Sequence, residues 1–333
     1  MDMMTGKKPT VLFGCKVADK VARERIAAHA EIVELEECNE QSLLDSIVGK
    51  AAVIVPYTPE VVVTKAVIDA GKTLKLVGTT YGGTRQSIDD LYAINKGLCV
   101  IHTGPTRARP MAEYTLGLVL SSLLEIHNYH HHMLTDEPWP RFRYERSRIL
   151  HKRKVGIIGF GTIGRGIYDL FRHFTSDIVV SSNHMHDDEA AELGVKKAGL
   201  DELFSSCEVI ILSGGHTSET THLVGEELFK RMRNRSLFVN IARGKMVDEK
   251  AMARAARTQN IYLALDVFDE EPLPAESPLR GLDNVLLTPH RANNPIEFEA
   301  RWQFLADELE LFFSGQKPHT TLTSARAKVM SES

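Results

Sequence analysis

Short apolar runs alternate with amphipathic stretches along most of the chain. Thr10–Gly14, Glu31–Leu35, Ala51–Pro56, Leu74–Gly78 and Leu98–Ile101 have the length and β-branched content of strands, while Val17, Val21 and Ile26 space roughly as one helical face. Strands separated by helices predict a parallel α/β sheet. His102–Pro110, with one Gly and two Pro, reads as a loop. Ala112 to about Met133 then reads as one long helix with a stripe of Leu116, Leu120, Leu123 and Leu124. Asp136–Lys154 is polar and basic and reads as a linker. A second set of strands follows at Val155–Ile158, Asp177–Ser182, Val209–Leu212, Leu237–Ile241, Tyr262–Val267 and Val285–Thr288. Ile296–Phe313 closes the pattern as a helix on Phe298, Trp302, Leu305, Leu309 and Phe312, ended by Gly315 and Pro318. The tail His319–Ser333 has little to bury and reads as disordered.

Composition changes this picture little. A chain of 333 residues suggests two domains. A formal net charge of −4 gives no electrostatic footprint for nucleic acid or an anionic membrane. No run is apolar enough to span a bilayer, and the start, MDMMTGKKPT, has no apolar core of a leader, so a cytoplasmic location is expected. Cys15, Cys38, Cys99 and Cys207 are scattered without a C-x-x-C pair, as buried thiols would be. No metal site is expected: His130, His131 and His132 are consecutive, point different ways on a helix, and read as a solvated helix end.

The densest chemistry lies at Val155–Gly166, VGIIGFGTIGRG. Gly159, Gly161 and Gly164 stand in G-x-G-x-x-G spacing between a strand and a helix. The first glycine allows a tight turn, the second lets backbone approach a pyrophosphate, and the third lets helix pack on strand. N–H groups at the helix start, around Thr162 and Ile163, would hold phosphate. After the next strand an acidic residue would be expected on the adenosine ribose, yet Ser182, Asn183 and His184 follow Ser181. Nothing there repels a 2′-phosphate, so the pattern leans to NADP over NAD. The alternative is that Asp187 or Asp188 loops back to the ribose.

Three further groups lie just past strand carboxyl ends: Arg243 in Ala242-Arg243-Gly244, Asp266 with the acidic stretch Phe268–Pro272, and His290 after Pro289. A guanidinium fork suits a carboxylate. In the first half, Tyr81-Gly82-Gly83-Thr84-Arg85 follows a strand, where backbone N–H groups could hold an anion; an ordinary βα turn is the alternative.

At this point the chain resembles the D-isomer-specific 2-hydroxyacid dehydrogenases. The carrying pieces are MAEYTLGL (Met111–Leu118), VGIIGFGTIG (Val155–Gly164), NIARGKMVDEKAM (Asn240–Met252), ALDVFDEEPLP (Ala264–Pro274) and VLLTPH (Val285–His290). The resemblance implies a Rossmann-type doubly wound parallel sheet, residues 106–295, inserted into a smaller flavodoxin-like α/β substrate domain, residues 1–105 plus 296–333. It implies a cleft between the two and a homodimer interface involving the long helix near Ala112. By position, Arg243 matches the arginine that holds and polarises the substrate, His290 the acid/base, and Glu271 its carboxylate partner. Asp266 matches the residue that contacts the nicotinamide carboxamide, and Ala242 lies beside the cofactor.

The implied activity is hydride transfer between a nicotinamide cofactor and a 2-oxo or 2-hydroxy acid, with glyoxylate or hydroxypyruvate as plausible substrates. The trio fits that chemistry. Reduction of a ketone needs a proton donor, a neighbouring carboxylate favours the imidazolium, and arginine steadies charge developing on oxygen. A dinucleotide-sensing or corepressor-like protein is the alternative from the same family. Departures from the family pattern are informative. GGTRQSID (Gly82–Asp89) replaces GAGVDNVD, TRARP brings in Arg107 and Arg109, and Arg291-Ala292-Asn293 replaces Ile-Gly-Gly. Gly83, Thr84, Arg85 and Arg107 are the candidate substrate-binding residues. With Arg109 and Arg291 they suggest a substrate with a second anionic group; pairing with protein carboxylates is the competing explanation.

Overall fold

The computed structural model describes residues 8–135, 137–144, 147–292 and 300–328. The chain folds as two compact units, Met1–Arg107 with Pro295–Ser333, and Ala108–Asn294.

The first unit contains β1 (Thr10–Phe13), α1 (Lys20–His29), β2 (Glu31–Glu34), α2 (Glu40–Ser46), β3 (Ala52–Val55), α3 (Lys65–Ala70), β4 (Leu76–Thr79), α4 (Asp90–Asn95) and β5 (Cys99–His102). Its sheet is parallel throughout, in the order β2-β1-β3-β4-β5. That is the flavodoxin-like winding. β3 and β4 are buried along their whole length because apolar side chains cover both faces, which is why parallel strands read as continuous apolar runs. Asp19 caps α1, accepting from Ala22 N. The buried face of this helix is Ala22 and Ile26; Val21 is exposed, because the helix starts after Val17 and turns it outward.

The second unit contains α5 (Ala108–Leu123), α6 (Ile126–Thr135), β6 (Val155–Ile158), α7 (Thr162–Phe171), β7 (Ile178–Ser181), α8 (Asp187–Leu193), β8 (Lys196–Lys197), α9 (Leu200–Ser206), β9 (Val209–Leu212), α10 (Glu226–Arg231), β10 (Leu237–Asn240), α11 (Glu249–Thr258), β11 (Tyr262–Leu265) and β12 (Val285–Leu287). Its parallel sheet runs β12-β11-β10-β9-β6-β7-β8. This is a Rossmann-type doubly wound sheet. The strand order reverses between β6 and β9, and ligands of such sheets bind beyond the carboxyl ends at that switch.

Several expectations need correction. α5 begins at Ala108, so Pro110 falls in its first turn, where its missing N–H costs nothing. The expected single long helix is two, broken at Glu125, whose φ is +57°. Glu125 is nonetheless 2% exposed and accepts from Asn128 Nδ2 at 2.8 Å. The buried stripe of α5 is Ala112, Thr115, Leu118, Val119, Ser122 and Leu123. Leu150, in the expected linker, lies in the core.

The first unit finishes with α12 (Ala300–Phe313) and α13 (Ser324–Lys328). Phe298 lies outside the described residues. The tail is ordered as far as residue 328: the fully buried Glu308 carboxylate accepts from His319 N at 3.0 Å and Thr320 N at 2.8 Å, and Leu322 and Ala327 are buried. Among the described residues no helix is long and apolar enough to cross a membrane.

Candidate active site

The glycine turn follows β6 at the switch point. Gly159 has φ +86°, and a Cβ there would lie 2.4 Å from Gly214 Cα. A Cβ on Gly164 would lie 2.3 Å from Gly159 O. Both positions therefore exclude any side chain. Ser213 Oγ donates to Gly159 O at 3.0 Å, pinning the neighbouring loop to the turn. α7 starts from Gly161 with no side-chain cap, so the first-turn N–H groups at Thr162, Ile163 and Gly164 have no capping side chain. An uncapped start of a ten-residue helix, entered from a turn with glycine at 159 and 161, fits a dinucleotide pyrophosphate.

Beyond β7, Asn183 and His184 are exposed, and His184 N donates to Ser182 Oγ at 3.3 Å. Asp187 opens α8 and pairs with Lys197 at 2.9 Å. Sequence reasoning passed over Arg165, which stacks over Phe160 at 4.8 Å and pairs with Glu189.

The trio stands at the carboxyl ends of three adjacent strands, β10, β11 and β12. Arg243 follows β10 in a turn clasped by the buried Asn240: Ala242 N donates to Asn240 Oδ1 at 3.0 Å, and Asn240 Nδ2 donates to Arg243 O at 3.1 Å. Asn240 was not foreseen; asparagine at a strand end has no pattern of its own. Ala242 is buried and Arg243 half-buried, with Nη1 donating to Ala242 O at 2.8 Å. A Cβ on Gly244 would lie 1.9 Å from the Phe268 carbonyl carbon, so this glycine lets the arginine turn lie directly on the loop that carries Glu271.

Glu271 is used on both oxygens. Oε1 accepts from Phe268 N at 3.0 Å, and Oε2 lies 2.7 Å from His290 Nδ1. An ionised carboxylate only accepts, so Nδ1 carries the hydrogen and Nε2 is left for other partners. His290 is 44% exposed, open to a ligand, and its φ of +53° is left-handed. Asp266 is fully buried. The protein's own donors surround it: Thr288 Oγ1 at 2.6 Å, Arg291 N at 2.8 Å and Ala292 N at 2.8 Å. Burial, and the nearby Asp266 charge, raise the pKa of the Tyr114 hydroxyl.

In the first unit, Tyr81–Arg85 does follow β4, but its side chains turn inward. Thr84 is fully buried and donates to Asp90 Oδ2 at 2.7 Å. Arg85 donates to Ala327 O at 2.7 Å and lies 3.7 Å from Asp90. Gly83 is only partly exposed. Arg107 stacks on Tyr81, its guanidinium carbon 3.6 Å from the ring centre, and Tyr81 in turn lies 5.0 Å from the Tyr57 ring. His102 takes Gly104 N–H on Nδ1 at 3.0 Å; burial, then the charges of Arg326 and Arg107, pull its pKa down to about 4. Of the remaining arginines, Arg109 pairs with Glu113 at 2.5 Å on the surface, and Arg291 is exposed.

The histidine run departs from expectation. His130 and His131 are exposed, but His132 is 4% exposed, with Nε2 2.8 Å from Tyr144 Oη. Among the described residues no group of His, Cys, Asp and Glu has a metal-holding arrangement.

A glycine turn at the switch point and a His–Glu pair at the edge of the same sheet define a dinucleotide-dependent enzyme class. The model for "D-isomer specific 2-hydroxyacid dehydrogenase, NAD binding domain" matches residues 116–292. A Staphylococcus aureus (strain MRSA252) protein whose name places it among the 2-hydroxyacid dehydrogenases is 33% identical over 242 residues, 72% of this chain and 75% of that protein. The chain belongs to the D-isomer-specific 2-hydroxyacid dehydrogenase family, which is one of oxidoreductases. The solved D-mandelate dehydrogenase of Rhodotorula graminis shares the fold at a TM-score of 0.83 and 20% identity, covering 95% of this chain and 98% of that one. An NADPH-dependent glyoxylate/hydroxypyruvate reductase of Sinorhizobium meliloti does so at 0.74 and 22%, covering 98% and 100%.

Proposed function

We propose that this protein reduces a 2-oxo acid to the D-2-hydroxy acid, with NADPH favoured over NADH. The observation that carries the reading is the His290–Glu271 pair at 2.7 Å, which bridges the ends of β12 and β11, with Arg243 at the end of the next strand, β10. The glycine turn and the uncapped start of α7 hold the dinucleotide's pyrophosphate, and Ser182, Asn183 and His184 receive its adenosine end. When bound, the dinucleotide supplies the hydride for carbon 2.

Arg243 pairs its fork with the substrate carboxylate and steadies the 2-oxo oxygen. His290 holds a proton on Nε2 and releases it to that oxygen as charge builds there. Glu271, accepting from Nδ1–H, stabilises the imidazolium before the transfer. In the oxidative direction the neutral ring takes the hydroxyl proton. Arg107, stacked on Tyr81, is the first-unit cation assigned to a second anionic group on the substrate. The arginines at 85 and 109 have carboxylate partners of their own.

A homodimer belongs to this reading. Six of the nine exposed large apolar side chains among the described residues fall between 126 and 149: Ile126, Met133, Leu134, Trp139, Phe142 and Ile149. A patch of that kind marks a contact surface. Sedimentation should give twice the mass of the chain; a monomer at micromolar concentration would remove the dimer.

The test of function is oxidation of NADPH and, separately, NADH with glyoxylate, hydroxypyruvate, pyruvate and 2-oxoglutarate. His290→Ala is expected to lower kcat about 1,000-fold while dinucleotide binding persists. Unchanged turnover in that variant would overturn the assignment.

A further inference from the structure

The chain after α12 is held at several points on the first unit. The Glu308 carboxylate takes His319 N and Thr320 N, and Thr320 Oγ1 accepts from His102 N at 3.4 Å. Two residues on, Leu322 N donates to Val100 O at 2.9 Å. Position 320 therefore meets 102 and position 322 meets 100, so this stretch runs antiparallel along β5. β5 is the last strand of its sheet, and the stretch covers main-chain groups that an edge strand would otherwise leave open. α13 follows and packs on α4, with Ala327 fully buried. Residues 319–328 thus form a strap across one side of the unit.

The far end of the strap lies on the loop after β4. Arg85 Nη2 donates to Ala327 O at 2.7 Å, in the last turn of α13. Carbonyls there lack partners within the helix, and a cation is favoured. Arg85 Nε lies 3.7 Å from Asp90 Oδ1, and Asp90 Oδ2 accepts from Thr84 Oγ1 at 2.7 Å. The buried Asp90 carboxylate joins Thr84 to Arg85, and the guanidinium joins both to the strap. Next to this knot, the main-chain N–H groups of Gly82, Gly83 and Thr84 meet no acceptor among the described residues. A row of such groups suits an anion. Its shape depends on the knot, because two neighbouring glycines impose none of their own.

We propose that Arg85 is a positioning residue. It moors the loop after β4 to α13, so that the strap at 319–328 sets the shape of the N–H row at 82–84 and with it the affinity for an anionic end of the substrate. Arg85 does not itself touch the substrate. The inference rests on the 2-oxo acid reading for its effect on KM, but the mooring can be read without turnover.

The test uses the full chain and loosens the mooring from either end. Arg85→Met keeps the aliphatic stem and removes the donors. Arg85→Lys returns one charged donor without the fork. Ala327→Glu crowds a fully buried position, so α13 must lift while Arg85 and Asp90 keep each other. Hydrogen exchange is followed by mass spectrometry in peptides spanning 82–88 and 324–328, with KM and kcat for pyruvate and the Kd for NADPH. Arg85→Met and Ala327→Glu are each expected to speed exchange about tenfold in both peptides, the loss of one hydrogen bond to a charged group. Each should raise KM about tenfold and leave kcat and the Kd within about twofold, since the groups that move a proton are untouched. Arg85→Lys should fall between the wild type and Arg85→Met in exchange and in KM.

If Ala327→Glu speeds exchange at 324–328 alone, the loop does not depend on the strap and the proposal falls. If Arg85→Met leaves 324–328 unchanged, Arg85 is not the mooring. A fall in kcat with KM unaltered overturns the positioning of a binding loop. If the wild-type protein turns over no 2-oxo acid, the functional reading fails separately, and the joint exchange of the two peptides still decides the mooring.

Discussion

The two sheets present their carboxyl edges in opposite ways. At the edge of β10–β12, buried side chains hold backbone, and the functional side chains stand outward: Asp266 and Asn240 clasp turns, while His290 and Glu271 face solvent. At the edge of β4–β5, side chains of the same chemical types are spent within the unit: Thr84 bonds Asp90, Arg85 reaches Asp90 and the Ala327 carbonyl, and Arg107 lies on Tyr81. Position beyond a parallel strand therefore does not make a residue catalytic. What separates the two edges is where the buried carboxylate's bonds fall: Asp266 takes the main-chain N–H groups of Arg291 and Ala292 beside the exposed His290, whereas Asp90 takes the side chains of Thr84 and Arg85 and, of the main chain, the adjoining Leu91 N.

The largest effect that would sharpen this contrast is expected from glycines. Gly244→Ala places a Cβ 1.9 Å from the Phe268 carbonyl carbon, backbone that cannot move without the Glu271 loop. It should cost about 3 kcal/mol of stability in urea unfolding, with most of the turnover. Gly83→Ala meets nothing nearer than Gln86 Oε1 at 3.8 Å and should stay within about 0.5 kcal/mol. Equal losses at the two positions would break the distinction between the edges.

Acid should find the first unit next. The neutral His102 ring accepts Gly104 N–H, and its pKa lies near about 4 against an ordinary 6.5. As pH falls, the unfolded chain takes up this proton before the folded one. The stabilisation is therefore fully present above about pH 6.5 and is lost between there and about 4. Allowing for the solvent that reaches this partly exposed ring, the loss is about 2 kcal/mol. His102→Asn keeps an acceptor for Gly104 N–H and removes the titration, so its urea midpoint should vary less between pH 7.5 and pH 5. An unaltered slope would remove His102 as the cause.

Both edges were only partly legible in the sequence, and for the same reason. The strands are readable because strands buried on both faces are apolar throughout. Gly159, Gly164 and Gly244 are readable because a Cβ at each would meet backbone. The helix break at Glu125 is not, since the apolar spacing runs straight through it and the break depends on a buried carboxylate finding Asn128. β8, two lysines long, has no pattern to find. Glu308 orders the tail from an otherwise apolar helix face. In the site, the chemistry of Arg243, Glu271 and His290 shows in residue type and place, whereas Asn240 and Asp266 act on turns closed only in three dimensions.

The smallest predicted effect decides whether the first-unit edge has a function beyond holding itself. Arg107 is the cation there whose fork lies flat on an aromatic ring, and the absence of a Cβ on Gly82, which would fall 3.3 Å from Nη1, gives it room. If it receives a second anionic group, Arg107→Ala should raise KM for 2-oxoglutarate about tenfold, the worth of a hydrogen bond to a charged group, and leave KM for pyruvate within about twofold. If Arg107 only braces Tyr81, the two KM values should rise together, since the loop after β4 would loosen for every substrate alike. The ratio of the two, rather than either alone, is the quantity that separates a binding edge from a structural one.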